Sequence, residues 1–266
     1  MRRIIIIGTA LAVLAGASAA FAAGALNSYT AAFSFSPTKA GSPSSPVPVG
    51  FSQSLGASST TPGNRAAPLV DIKTTIYGLT SNAKDFPTCK ATTIDTGPNF
   101  GKACPKGSLV ASGPVTSLLG PANSLSAAGS PCKPFLSVYN GGKGLLIYFF
   151  TVTPQAPGHV CVGLKTGASA PYFGHVKQVG KNLVQDVPLP PDVSTEAGGL
   201  AGAYGSLITE TLHWNKLTAK VHGKTVGFQS SIGCKSGKRP WSVVYTSVNQ
   251  GVKQAPITVS GSAKCS

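Results

Sequence analysis

The sequence predicts an all-β protein: a single large antiparallel β-sandwich of the jelly-roll or immunoglobulin-like kind, disulfide-bonded and almost without helix. Three observations carry that expectation. Short runs of alternating apolar and polar residues are separated by clusters of Gly, Pro and Asn, the cadence of strands and turns. No stretch sustains the 3.6-residue period of an amphipathic helix. Gly (32) and Pro (21) are abundant and only 11% of residues are charged, a composition that breaks helices and suits tight connections.

Residues 1–22 read as a signal peptide. Arg2 and Arg3 form a basic start, Ile4 to Leu14 an apolar core, and Ala20-Phe21-Ala22 the small-x-small pattern that a peptidase cuts after Ala22. Left uncut, the apolar stretch would be about long enough to span a bilayer, but its Ala-rich end suits cleavage, and no membrane span is expected afterwards. The expected product is a secreted domain of residues 23–266, extracellular and a candidate for association with the cell wall. A chain of that length buries a sizeable core without help from disulfides.

Export sets the reading of the six cysteines, Cys89, Cys104, Cys132, Cys161, Cys234 and Cys265. An even count in an oxidising compartment means bridges. The C-x-x-C or Cys/His spacing of a zinc or redox site is absent, so no metal and no cofactor is expected. Six cysteines permit 15 pairings; we expect the sequential one. Cys89–Cys104 closes a short polar loop between two strands, and Cys234–Cys265 brackets an antiparallel pair. Cys132–Cys161 is the least secure, because in a simple meander its strands are not neighbours and the chain must fold back to join them.

The strands follow in order. In SYTAAFSFSP, Tyr29, Ala31, Phe33 and Phe35 share one face, and VPVGFSQSL follows a polar loop. LVDIKTTIYGL puts Val70, Ile72, Thr74 and Ile76 on one side, and SLVASGPVTSLL follows the cysteine loop. PFLSVYNGGKGLLIYFFTV reads as a hairpin about Gly141-Gly142, pairing Val138 with Leu145 and Leu136 with Ile147. Its return strand, Leu145 to Val152, is apolar on both faces and should be central. KLTAKVHGKTVGFQ reads as a hairpin about His222-Gly223, pairing Ala219 with Val226 and Leu217 with Phe228. The loop-like stretch at residues 188–205 is a candidate internal boundary, although one continuous domain is preferred.

Little in the chain looks like chemistry. There is no G-x-S-x-G elbow, no H-E-x-x-H and no phosphate-cradling loop. A turn at Gly180-Lys181 would set His175 across from Asp186, a candidate polar pair able to orient an imidazole, though no nucleophile is identifiable beside it. Glu210 shares a strand face with Ile208, Leu212 and Trp214. Buried, it would acquire a raised pKa and flag a site; solvent exposure through a bulge is the expectation. Tyr172, Trp214 and Trp241, with Phe173, are candidate ligand-binding aromatics for a sugar ring, against a reading of them as core. His213 and His222 are not opposed, so no metal site is expected from them.

The segments YGLTSNAKDFPTC and ACPKGSLVASGPV together resemble a motif of an uncharacterised family of exported actinobacterial β-rich proteins. In it a strand ends in a G-x-x-x-N turn, F-P-x-C follows, and C-P-x-x-S opens the next strand. LSVYNGGKGLLIYFF and the pair Cys234 and Cys265 around WSVVY are similar to it as well. The resemblance spans about residues 28 to 266, with Phe86 to Gly113 its specific part. It implies an extracellular disulfide-bonded β fold and no known activity.

Without Arg2 and Arg3, the remaining 20 Lys and Arg outnumber the 7 acids, for a net charge of +13. The 18 lysines are scattered singly, unlike the clustered basic and aromatic stripe of a nucleic-acid reader. Anionic cell-wall polymer or polysaccharide is the expected partner, and nucleic acid is not. The function expected is non-enzymatic: a secreted, envelope-associated or ligand-binding protein. A carbohydrate-binding protein, which would show an exposed aromatic row, and a hydrolase with an unrecognised site are the alternatives.

Overall fold

The computed structural model describes residues 18–20, 24–94, 101–152, 161, 167–199 and 201–266. The predicted cut after Ala22 and most of the leader lie outside the described residues. The protein is nearly all β, and one long curled antiparallel sheet carries most of it. In chain order the strands begin with β1 (Ser18–Ala20), β2 (Asn27–Ser36), β3 (Val47–Pro48), β4 (Gly50–Ser59), β5 (Leu69–Tyr77) and β6 (Leu79–Ser81). Next come β7 (Leu109–Pro121), β8 (Ser130–Cys132), β9 (Phe135–Gly142), β10 (Leu145–Val152), β11 (Gly167–Ala168), β12 (Tyr172–Val179) and β13 (Asn182–Pro188). The last part supplies β14 (Ala203–Trp214), β15 (Thr218–Val221), β16 (Lys224–Gly227), β17 (Gln229–Ser231), β18 (Lys238–Asn249), β19 (Val252–Lys253) and β20 (Ile257–Lys264). Among the described residues the only helical turns are short, and no helix is long and apolar enough to cross a membrane.

Along the sheet the order is β1-β2-β4-β14-β7-β9-β10-β12-β13-β5-β18, with β20 also paired to β18. The curl brings the two ends face to face. Tyr29 on β2 stacks on Tyr245 of β18, with ring centroids 4.4 Å apart and planes within 3°. Phe33 meets Trp241 at 5.0 Å, and the Tyr245 hydroxyl donates to the Thr30 carbonyl at 2.9 Å. The alternation of β2 explains its half of this contact: Tyr29, Ala31, Phe33 and Phe35 are all buried, and the residues between them are not.

β10 is central, as its two apolar faces require. Leu146 and Tyr148 face the main core. Ile147 and Phe149 point the other way and form a second cluster with Tyr139, Cys89 and Ile94. The described residues of the loop clamped by Cys89–Cys104, with Ala91, Ile94 and Gly101 among them, pack over that outer face.

All three bridges are sequential: Cys89–Cys104, Cys132–Cys161 and Cys234–Cys265. The second forms because the chain folds back after β7. β8 lies antiparallel on β7 with Cys132 opposite Ser117, and Cys161 bridges directly to Cys132.

The β15–β16 hairpin has the expected register, Ala219 opposite Val226, with the Phe228 amide bonded to the Leu217 carbonyl. His222 and Gly223 both take positive φ, 48° and 77°, as a tight two-residue turn of this hand requires. The β9–β10 hairpin differs from expectation. Its turn is Lys143-Gly144, not Gly141-Gly142, so Val138 faces Tyr148 and Leu136 faces Phe150. Asn140 holds the strand past the glycines. Its Nδ2 donates to the carbonyls of Ala83, Phe86 and Pro87, and its Oδ1 accepts from the Gly142 amide.

The 188–205 stretch connects strands of the same sheet, because β14 inserts between β4 and β7. Two buried arginines pin the connections. Arg65 donates to the carbonyls of Pro121, Ser124 and Ala127 and to Ser206 Oγ. Arg239, fully buried, donates to the carbonyls of Tyr77 and Gly78 and to Ser231 Oγ, with its guanidinium 4.9 Å from the Phe35 ring centroid. The described positive charge on the exterior is therefore lysine. Every described lysine is exposed except the half-buried Lys73.

Candidate functional site

The inside of the curl is apolar at most positions, because inward residues alternate with outward ones along each strand. Between the middle strands β14, β7, β10, β12 and β5 the opposing walls do not meet. They leave a cavity of about 530 Å³, walled by Leu69, Ile72, Val115, Leu119, Phe150 and Leu207 among others. The Cys132–Cys161 bridge lies in its wall, Ser169 and Ala170 stand at its side, and residues 189–199 cross it. That last segment is held as a run of turns by main-chain bonds such as Glu196 to Pro191 and Gly198 to Asp192, and by Gly205 to Ser194 at its return. The stretch that could have been a domain boundary is thus the cavity's cover.

Glu210 is in the wall of this cavity. A β-bulge explains how an acid arrives there. Between Leu207 and Thr209 the register of β14 against β7 slips by one residue, so Ile208 is the extra residue and turns outward. Leu207 and Glu210 both then face the cavity, although they are three apart in sequence. The sequence reading has the bulge expelling Glu210. It expels Ile208 instead, and Glu210 is buried with Leu212 and Trp214.

The Glu210 carboxylate receives one hydrogen bond among the described residues, from Gln53 Nε2 to Oε1 at 3.0 Å. Burial pushes its pKa up to about 7, the Gln53 bond working in the opposite sense. Around it the interior turns polar. A recess of about 20 Å³, lined by Gln53, Thr74, Tyr148, Tyr172, Gln185 and Glu210 among others, shares Ile72, Tyr172, Leu189 and Glu210 with the larger cavity. Gln185 Nε2 donates to the Tyr148 hydroxyl, and the Tyr148 and Tyr172 rings stack at 5.3 Å. Burial, with the Glu210 charge, raises the pKa of Tyr148, Tyr172 and Tyr245, so their hydroxyls stay protonated.

The other candidates are spread apart. Trp214 and Trp241 are buried in the core, against Phe51 and Phe33 respectively. Tyr172 is also buried but lines the cavity, and of the four candidate aromatics only Phe173 is exposed. They form no exposed platform. His175 does sit opposite Asp186 in the β12–β13 register. No hydrogen bond joins the two side chains; Asp186 pairs instead with Lys73 at 3.6 Å. Asp71 lies beside that pair, and partial burial together with the Asp186 charge raises its pKa to about 6 against the pull of Lys73 and Lys253. His213 bonds Ser52 on the exposed side of β14, away from the His222 turn. Among the described residues no group of three or more His, Cys, Asp or Glu is placed to hold a metal.

Sequence reasoning missed the cavity and the recess. The available signal was a set of polar residues at inward positions of apolar strands: Gln53 on β4, Thr74 on β5, Gln185 on β13 and Glu210 on β14. Compared with known proteins, the chain matches no family model, no curated protein and no solved structure.

Proposed function

We propose that this is an exported, non-enzymatic binding protein whose curled sheet encloses a site for a small apolar molecule. The observation that carries the reading is the cavity of about 530 Å³, apolar along its walls and with one buried carboxyl at its inner end. Its size lies in the range of sites that take small ligands, roughly 300–1,000 Å³. Apolar walls supply affinity through burial, and a single polar group fixes orientation. Glu210 is bonded to an amide rather than to a Ser, Cys or His that it could activate, which favours binding over catalysis.

The leader and the three bridges favour export, and the scattered surface lysines suit loose association with anionic wall polymer. The resemblance to exported actinobacterial β-rich proteins fits the same setting. The buried positions of Trp214 and Trp241 weigh against a sugar-binding platform.

Titration of the purified protein with the neutral apolar fluorophore N-phenyl-1-naphthylamine tests the reading. Saturable one-to-one binding is expected, and Ala170→Trp, at an exposed position in the cavity wall, should block it. Absence of saturable binding, or binding indifferent to that substitution, would overturn it.

A further inference from the structure

Resting on that reading, we propose that the cavity selects amphiphilic amines: a single ammonium in the recess at Glu210, with an apolar chain or ring system in the larger chamber. The charge of the walls points this way. Glu210 and Asp192 are the lining residues that carry charge, both are acids, and no Lys, Arg or His is among the described lining residues. None of the described lysines lines this space. An anionic head group would meet like charge in a poorly solvated site, whereas a cation would meet an unpaired carboxylate.

The unsatisfied acceptors point to the same head group. Glu210 Oε2 has no hydrogen-bond partner among the described residues. Gln53 Oε1, buried in the same recess, has none either. An ammonium carries three donors and no acceptor, which matches two bare acceptors in donor count with one donor to spare. A hydroxyl carries one donor and would leave one oxygen bare. Size agrees: at about 20 Å³ the recess admits a group of about one water's bulk, such as a primary ammonium, and excludes a sugar or a phosphate. Tyr148 and Tyr172, stacked on one another, add aromatic surface to the lining of the recess.

The groups that face Glu210 are Gln53 from β4, Tyr148 from β10, Tyr172 from β12 and Tyr245 from β18, with Asp192 on the cover. None of the tyrosines ionises near neutrality, so amine affinity should follow the Glu210 carboxyl. Below its pKa of about 7, docking an ammonium must release the carboxyl proton, and affinity falls with each step of acidification.

The experiment compares decylamine, 1-decanol and decanoate as displacers of bound N-phenyl-1-naphthylamine. Near pH 8 decylamine should displace at a concentration at least about tenfold below that of 1-decanol, with decanoate weakest. Glu210→Gln should bring the amine-to-alcohol ratio close to one. In the unmodified protein the ratio should also shrink as pH falls from about 8 to about 5.5, a readout that needs no variant to fold. Equal displacement by amine and alcohol near pH 8, or a preference that survives Glu210→Gln, would overturn the amine assignment and leave the apolar cavity standing. Absence of saturable fluorophore binding would remove both.

Discussion

Gln53 on β4 and Glu210 on β14 are joined by a 3.0 Å hydrogen bond inside the curl, and among the described residues no cationic side chain pairs with the carboxylate. The pair makes stability depend on pH with a definite sign. The folded pKa of Glu210, about 7, lies above its ordinary value of 4.5, so between those limits the folded chain keeps a proton that the unfolded chain has released. Its contribution is complete at acid pH and is lost as pH rises through the folded value. Glu210→Gln should therefore unfold at higher urea than the parent near pH 8, by up to about 3 kcal/mol, and differ little near pH 4. Parallel stability curves for the two proteins across that range would contradict the burial of the charge.

Arg239 should be irreplaceable by lysine. Its fork spans two carbonyls and a hydroxyl while lying over Phe35, a geometry that a single ammonium cannot reproduce. Arg239→Lys should lower stability by about 2 kcal/mol or more, and Arg239→Ala by more still, because buried carbonyls lose their donors. Thermal unfolding of the two variants reads this directly; a lysine variant of parental stability would refute it.

The first two bridges should separate under mutation. Replacing Cys89 and Cys104 together by Ser should cost about 3 kcal/mol in urea unfolding, while fluorophore affinity stays near the parent value because that loop covers the outer face. Replacing Cys132 and Cys161 should lower affinity as well as stability, since that bridge is part of the cavity wall. Equal effects on affinity from both pairs would count against this placement.

The lysine surface predicts a binding mode that salt weakens. Retention on an immobilised anionic polysaccharide should fall steeply between low and molar salt, because exposed charges are screened. Retention unchanged by salt would show recognition of another kind.

The parts of the fold that follow from local rules were legible in the sequence. Tyr29, Ala31, Phe33 and Phe35 alternate and are buried; His222-Gly223 is the turn its residues suit; the apolar faces of Leu145 to Val152 put that strand in the middle. Legibility ended where a distant contact overrode the local preference. Asn140 moved a turn by bonding three carbonyls more than 50 residues away in sequence. A single extra residue at Ile208 decided which side of the sheet Glu210 would occupy. The polar recess left a trace in Gln53, Thr74, Gln185 and Glu210, but the size of the apolar chamber did not, because empty space is a property of how far the sheet curls and belongs to no residue.

The loop over Tyr139, Ile147 and Phe149 has a consequence for how the protein must be made. Until that loop is fastened, the central strand shows an apolar outer face flanked by paired neighbours, and a second unfinished chain can cover it as well as the loop can. The order of events at birth therefore matters more than final stability. A chain held under reducing conditions should gather into aggregates through that face, and one oxidised as it folds should not. Producing it in a cytoplasm and expecting soluble material would fail for a reason written on one side of one strand.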